Sequence, residues 1–188
     1  MKTVALIEGF AGGPRLTKKF RLSLHEAGFR IIKTSSRADV IIAHSAGCYN
    51  LPLTSDAQLI MLIGLPYWPG RSIYSRNRRD RKAAKAYELS HFGRQYFIRK
   101  RLLQAYYFLI RPKYFWLALV WHTKLAFVEL LSDKKVIFVR NSDDNYLTPK
   151  IKKSLAPLPN IKYFELPGQH DDYYTNPAPY IEILLKEL

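Results

Sequence analysis

The sequence predicts an α/β domain built on a mostly parallel sheet, with helices on both of its faces in a three-layer arrangement. Its short apolar runs lack the alternation of apolar and polar residues, a pattern typical of strands that are buried on both sides. Segments with helical periodicity separate these runs, which favours parallel pairing. A chain of 188 residues is also long enough to bury a substantial core without metals or disulfides.

The elements follow from these patterns in chain order. Strands are predicted at residues 3–8, 29–33, 39–43, 59–65, 135–140 and 162–166, and helices at 15–27, from about 45 to Pro52, at 149–155 and at 179–188. Only residues 34–38 separate the second strand from the third, whereas a crossover between neighbouring parallel strands usually takes about a dozen residues. Either a helix has been lost at this connection or one of the two runs is not a strand of the sheet.

A long basic and aromatic insert interrupts the alternation. We expect residues 1–65 and 135–188 to form the core and residues 66–134 to form a helical cap insert. The net charge of the chain is +15, and the insert contributes +11 of it. Residues 115–131 are mostly apolar, but the segment is too short and too charged for a membrane span, which needs about 20 apolar residues. We therefore interpret it as a buried or capping helix.

The composition indicates a reducing compartment. Cys48 is the only cysteine, so an intrachain disulfide is impossible. The apolar run near Met1 is too short for a signal peptide and no cleavage site follows it. We expect a cytoplasmic protein. The basic insert would also allow attachment to the periphery of a membrane.

The third predicted strand ends in a turn of small residues with a serine at its centre. The sequence from Val40 to Gly47 is Val-Ile-Ile-Ala-His-Ser-Ala-Gly. Small-x-Ser-x-Gly directly after a buried strand is the spacing of a nucleophile elbow, in which the residues two before and two after the serine must be small. Ala43 and Gly47 meet this requirement for Ser45, although an ordinary tight turn would have the same composition.

A serine nucleophile needs a general base, and the base needs a carboxylate that orients it. His170 lies in a loop between the last predicted strand and the last helix, where a general base is expected. Asp143 and Asp144 follow the penultimate strand, and both are candidates for the acid. The order Ser, Asp, His along the chain is one of the three orders known for serine hydrolase triads.

With these motifs the chain resembles the α/β-hydrolase superfamily, and in particular its small single-domain esterase-like and lipase-like serine hydrolases. The resemblance rests on Ala-His-Ser-Ala-Gly, on Ser-Asp-Asp-Asn-Tyr-Leu-Thr-Pro and on Gly-Gln-His-Asp-Asp. It implies hydrolysis of an ester or related acyl bond without a cofactor. The residues it implicates are Ser45, Asp144 in preference to Asp143, and His170 for catalysis, Ala46 and Phe10 for the oxyanion hole, and Gly9, Tyr67 and Trp68 for substrate binding.

Glu8 departs from the family pattern, which commonly has histidine at this position. A carboxylate beside the oxyanion site would oppose the negative charge that develops there, unless it is paired or points away. The alternative function is therefore a catalytically silent protein that binds an anionic membrane or a nucleic acid through the basic insert. Of these partners we do not expect a nucleic acid, and we expect no metal site. The sequence leaves the acyl group and the oligomeric state open.

Overall fold

The chain was analysed as a computed structural model, which describes residues 1–9, 12–52, 55–65, 78–110, 112, 134–144 and 160–188. Its six strands are β1 (Thr3–Ile7), β2 (Arg30–Ile32), β3 (Val40–His44), β4 (Leu59–Ile63), β5 (Lys135–Asn141) and β6 (Ile161–Leu166). They form one sheet in the order β2-β1-β3-β4-β5-β6, and every neighbouring pair is parallel. The predicted fold class is confirmed.

The central strands are buried on both sides, as their continuous apolar sequences predict. Residues of β3, β4 and β5 that face one side pack against α1 (Lys18–Glu26) and the last helix, α3 (Ala178–Glu187). Phe20 and Leu24 of α1 and Leu184 of α3 are fully buried there. On the other side, alternate residues of the same strands pack against Cys48 and Tyr49. The short helix predicted after the third strand is a 3₁₀ helix, Ser45–Asn50.

The short connection before β3 has a simple structural explanation. The sequence-based assumption that β2 and β3 are neighbours was wrong, because β1 lies between them. Both runs are strands, but β2 has only three residues, and Ile32 pairs with Ala5 of β1 while Val40 of β3 pairs with the adjacent Val4. The start of β3 therefore lies only about one residue lower along the strand axis than the end of β2, on the other side of β1. A 3₁₀ turn, Ser35–Arg37, is sufficient for this step.

The insert enters between β4 and β5. Its described part is a long helix, α2 (Arg78–Ile110), which is interrupted at Gly93, where φ is 77° and ψ is 164°. Among the helices of the described residues, none combines the length and the apolar character that a membrane crossing requires. The apolar segment 115–131 and the helix predicted at 149–155 lie outside the described residues.

Candidate active site

Ser45 lies at the carboxyl end of β3 in a strained turn. Its φ is +52°, and it is the one non-glycine residue with positive φ in the described part of the chain. A left-handed backbone costs energy in a residue with a side chain and is frequent at functional sites. From Val40 to Tyr49 every residue except Ser45 is buried. The turn therefore presents the serine, and only the serine, at the edge of the sheet.

Gly47 explains why the turn needs a residue without a side chain. A Cβ atom added to Gly47 would lie 2.3 Å from the carbonyl oxygen of Ile7 and 2.7 Å from that of Glu8. The backbone of the elbow thus packs directly on the end of β1. The sequence requirement for a small residue two positions after the serine has this contact as its physical cause.

His170 and Asp144 form a buried pair at the same edge. Nδ1 of His170 lies 2.7 Å from Oδ2 of Asp144, and the Asp144 side chain is completely buried. Asp143, the other candidate for the acid, is exposed. Because the Asp144 carboxylate accepts the hydrogen on Nδ1, the lone pair of a neutral His170 imidazole resides on Nε2.

Backbone and side-chain contacts hold the loops after β5 and β6 against each other. The amides of Ser142 and Asp143 donate to the carbonyls of Leu166 and Gly168, at 2.8 and 3.0 Å. The Asn141 side-chain amide donates to the carbonyl of Gln169, next to His170, and its oxygen accepts from the Tyr180 hydroxyl of α3. Sequence analysis missed Asn141, because an asparagine at a strand end is typical of any turn.

Gly64 is a second residue that the sequence analysis missed. It follows β4 with φ of +58°, and a Cβ atom there would lie 3.0 Å from both Cε1 and Nδ1 of His170. The ring of His170 therefore occupies the space that a side chain would take. A glycine at the carboxyl end of a parallel strand, beside the ends that carry Ser45 and Asp144, is the signal that could have identified it.

The loop that leaves β1 approaches the nucleophile candidate. A Cβ atom added to Gly9 would lie 2.8 Å from Cβ of Ser45. Glu8 is buried, and its Oε1 accepts hydrogen bonds from Thr17 Oγ1 at 2.6 Å and from Arg21 Nη2 at 3.0 Å. The Glu8 carboxylate is thus compensated by the Arg21 guanidinium of α1 and also accepts a hydrogen bond from the Thr17 hydroxyl. Of the other predicted site residues, Ala46 is buried in the elbow, whereas Phe10, Tyr67 and Trp68 lie outside the described residues.

His44 does more than the packing role that the sequence indicated. Its Nε2 donates to the carbonyl oxygen of His170 at 3.2 Å, and its ring contacts those of His170 and Tyr173, at 4.7 and 4.3 Å between centroids. Burial, followed by repulsion from His170, lowers the pKa of His44 to about 3. Nδ1 of His44 is buried without a hydrogen-bond partner among the described residues. Both observations favour a neutral ring that carries its hydrogen on Nε2.

Three donor groups near the site could be considered for a metal. Ligand atoms of His44, His170 and Asp171 lie within 4.8 Å of one another. However, Asp171 is already paired with the Lys100 ammonium at 2.7 Å, whose charge would repel a cation. Nε2 of His44 carries the hydrogen that it donates to the His170 carbonyl, so it has no lone pair to offer. The arrangement suits proton transfer by His170 better than metal binding.

Cys48 is unsuited to act as a second nucleophile. Its thiol is fully buried and donates to the carbonyl of Ala43 at 3.4 Å. Burial raises the pKa of this thiol well above its ordinary value, and the thiolate is the reactive form of cysteine.

Comparison with known proteins gives structural likeness only. No protein-family model matches the sequence, and no curated protein matches it either. Among solved structures, a bromoperoxidase from Bacillus anthracis aligns with a TM-score of 0.66 at 16% identity, over 99% of this chain and 91% of that chain. A carboxylesterase of the thaumarchaeon Nitrososphaera gargenis aligns with 0.65 at 14%, over 98% and 89%. The thioesterase domain from the curacin biosynthetic pathway aligns with 0.61 at 13%, over 98% and 90%.

These likenesses extend over nearly the whole chain and most of each partner chain, so the fold as a whole is shared and not one motif. At such low identities they show the fold and carry no information on the reaction, because one scaffold supports many chemistries.

The low pKa of His44 gives a prediction for stability. Unfolded His44 takes up a proton below pH 6.5 while the folded residue resists protonation down to about pH 3. The unfolded state then binds more protons, so the free energy of unfolding falls as the pH is lowered through this window, by up to about 1.4 kcal/mol per pH unit from this residue. His44→Gln keeps a donor at the position of Nε2 but cannot titrate, and should show a shallower slope. Urea unfolding at several pH values between 4 and 6.5 measures both slopes, and equal slopes would contradict the assignment.

Proposed function

We propose that this chain, which has the α/β-hydrolase fold, is a serine hydrolase that cleaves an ester or related acyl bond. The observation that carries the proposal is the position of Ser45. It is a strained and partly exposed serine in an otherwise buried turn, at the sheet edge that also holds the buried His170–Asp144 pair. An unconstrained turn serine would have no reason to adopt a positive φ.

In the proposed reaction, Oγ of Ser45 attacks the carbonyl carbon of the ester and its proton passes to Nε2 of His170. Asp144 holds the hydrogen on Nδ1 and stabilises the imidazolium that forms. When the tetrahedral intermediate collapses, the C–O bond to the leaving group breaks and His170 returns the proton to the departing alcohol. Water then attacks the acyl-enzyme by the same route, which releases the acid and regenerates Ser45.

The oxyanion of the intermediate would be held by backbone N–H groups. We assign one to Ala46, the residue after the nucleophile, and the second to Phe10 on the loop after β1. The closeness of Gly9 to Ser45 supports the use of this loop. Pairing of Glu8 with Thr17 and Arg21 removes the electrostatic objection that a carboxylate at this position raises. Tyr67 and Trp68 of the insert remain our proposed substrate-binding residues, together with Gly9.

Labelling with a fluorophosphonate probe tests the nucleophile. The folded wild-type protein should become covalently labelled, and mass spectrometry of the digested protein should place the adduct on Ser45. Ser45→Ala should abolish labelling. Ser142→Ala is the matched control, because Ser142 is an exposed serine that follows β5 at the same edge, and it should label like the wild type. An unlabelled wild type, or equal labelling of Ser45→Ala, would contradict the mechanism.

The outer face of α2 supports a second proposal, that the insert binds an anionic lipid surface. Leu102 and Leu109 are 68% and 75% exposed, and Ile98 and Tyr106 are also exposed on this helix. The exposed Arg94, Arg99 and Arg101 lie among them. Exposed apolar side chains together with arginines are typical of a helix that lies in a membrane interface. Lipid binding by the insert is compatible with hydrolysis at the Ser45 site. A chain that bound lipid without catalysis would be the catalytically silent binding protein, which is the alternative function considered above.

Sedimentation with phosphatidylserine-containing vesicles checks the lipid proposal. The double variant Leu102→Ser, Leu109→Ser should bind at least about tenfold more weakly, since each leucine loses apolar burial. Leu22→Ser, Leu185→Ser is the matched control, because both leucines are similarly exposed on α1 and α3. Binding should weaken with salt. Equal loss in both variants, or binding of RNA in place of vesicles, would contradict it.

A further inference from the structure

Helix α2 of the insert is joined to the loop that carries His170 by an ion pair that is buried on the lysine side. The Lys100 side chain is only 2% exposed, and its Nζ donates to Oδ2 of Asp171 at 2.7 Å. Asp171 directly follows His170 in the chain. An ammonium group is costly to bury unless it is paired, so the position of α2 and that of Asp171 depend on each other.

The ion pair is continuous with the groups that support His170. The other carboxylate oxygen of Asp171, Oδ1, lies 3.7 Å from Nε2 of His44. The same His44 nitrogen donates to the carbonyl of His170. Burial alone would raise the pKa of Asp171, but the attraction of Lys100, the largest opposing cause, outweighs burial and keeps the pKa below its ordinary value. Asp171 is therefore an anion within the electrostatic reach of the His170 ring.

Helix α2 contacts the other side of the site as well. Tyr107 is buried and lies two turns after Lys100, on the same face of the helix. A Cβ atom added to Gly13, in the loop after β1, would fall within 2.4 Å of three atoms of the Tyr107 ring. The inner face of α2 thus packs on the loop after β1 through Tyr107 and on the loop after β6 through Lys100. Leu102 and Leu109 project from its outer face.

We propose that the Lys100–Asp171 ion pair is a positioning device for His170, through which the insert sets both the place and the electrostatic surroundings of the general base. Lys100 and Asp171 are positioning residues in this proposal, since neither is placed on the substrate. Their effect on turnover rests on the proposed function, whereas their effect on the His170 imidazole does not.

Several titratable groups surround this loop in the described part of the chain. They are Asp144 from the turn after β5, His44 from β3, Lys100 from α2, Tyr180 from α3, and Asp171, Asp172, Tyr173 and Tyr174 from the loop and the 3₁₀ turn that follows it. Burial raises the pKa of each of the three tyrosines, so they stay neutral near neutral pH. Asp144, Asp171, Asp172 and Lys100 are then the charged groups around His170, and of these Asp171 and Lys100 form the ion pair to α2.

A double-mutant cycle with nuclear magnetic resonance titration of the imidazole tests the proposal. Lys100→Met leaves the Asp171 anion uncompensated and should raise the pKa of His170 by about 0.5 to 1 pH unit. Asp171→Asn removes the carboxylate that faces the Lys100 ammonium and should lower the pKa of His170. The neutral pair Lys100→Met, Asp171→Asn should return it close to the wild-type value. The His170 signal is identified by its loss in His170→Gln.

The pH profile of kcat/KM with a p-nitrophenyl ester follows the same cycle if the proposed function holds. Its acidic limb should shift to higher pH in Lys100→Met and to lower pH in Asp171→Asn. The neutral pair should keep the wild-type pH profile, while its kcat falls about tenfold because His170 is positioned less firmly. Arg99→Met, an exposed arginine of the same helix, is the control and should change neither readout.

Shifts of the same sign in both single variants, or no shift in either, would overturn the proposal, because two opposite charges that act on the imidazole must shift its pKa in opposite directions when they are removed one at a time. If Lys100→Met does not fold, Asp171→Asn and the neutral pair still decide the question. Opposite shifts of the imidazole without any esterase activity would contradict the proposed function and leave the positioning device intact.

Discussion

The candidate site depends on the immobilisation of one loop, residues 167–171, at the carboxyl edge of the sheet. Three elements hold it directly through polar contacts: β5 and the turn after it through Asn141 and Asp144, β3 through His44, and α2 through Lys100. The last helix, α3, supports Asn141 through Tyr180. Since all strands are parallel, the residues after β3, β4, β5 and β6 meet at this edge. The sheet provides the meeting point, and the polar contacts fix the imidazole within it.

Two neighbouring groups of this cluster, His44 and Asp171, differ in charge: the first is neutral and the second is an anion. His44 is neutral because the protonated ring could not be hydrated in its buried position. Asp171 is charged although most of its side chain is buried, because Lys100 compensates it. A partly satisfied polar network in a core is more costly than an apolar core, so removal of one member exposes the others to an unpaired charge. This coupling explains why a helix of the insert matters to a site that it does not enter.

Much of the fold could be predicted from the sequence, because the signals were local. Buried apolar runs gave the strands, and the small residues around Ser45 gave the elbow turn. The order of strands could not be predicted, since nothing in residues 30–40 indicates that β1 separates β2 from β3. Strand order depends on pairing between distant segments, and local patterns do not encode it.

The supporting residues of the site were missed for related reasons. Alternation along β3 predicts which face His44 takes but not what meets it there. Lys100 and Asp171 are 71 residues apart in the chain, and a lysine on a basic helix is ordinarily solvated. Gly64 and Asn141 are common residues at strand ends. Their importance comes from the position of the His170 ring, which only the three-dimensional structure reveals.

The central claim is that the buried Asp144–His170 pair activates Ser45, and its most direct test compares two adjacent aspartates. The measurement is kcat for p-nitrophenyl acetate hydrolysis by Asp144→Asn and by Asp143→Asn. Loss of the buried carboxylate should lower kcat by about 10³- to 10⁴-fold, because His170 would no longer be held in the required tautomer. The exposed Asp143 should be replaceable with less than about a twofold change. Equal effects at the two positions, or a larger loss at Asp143, would contradict the account.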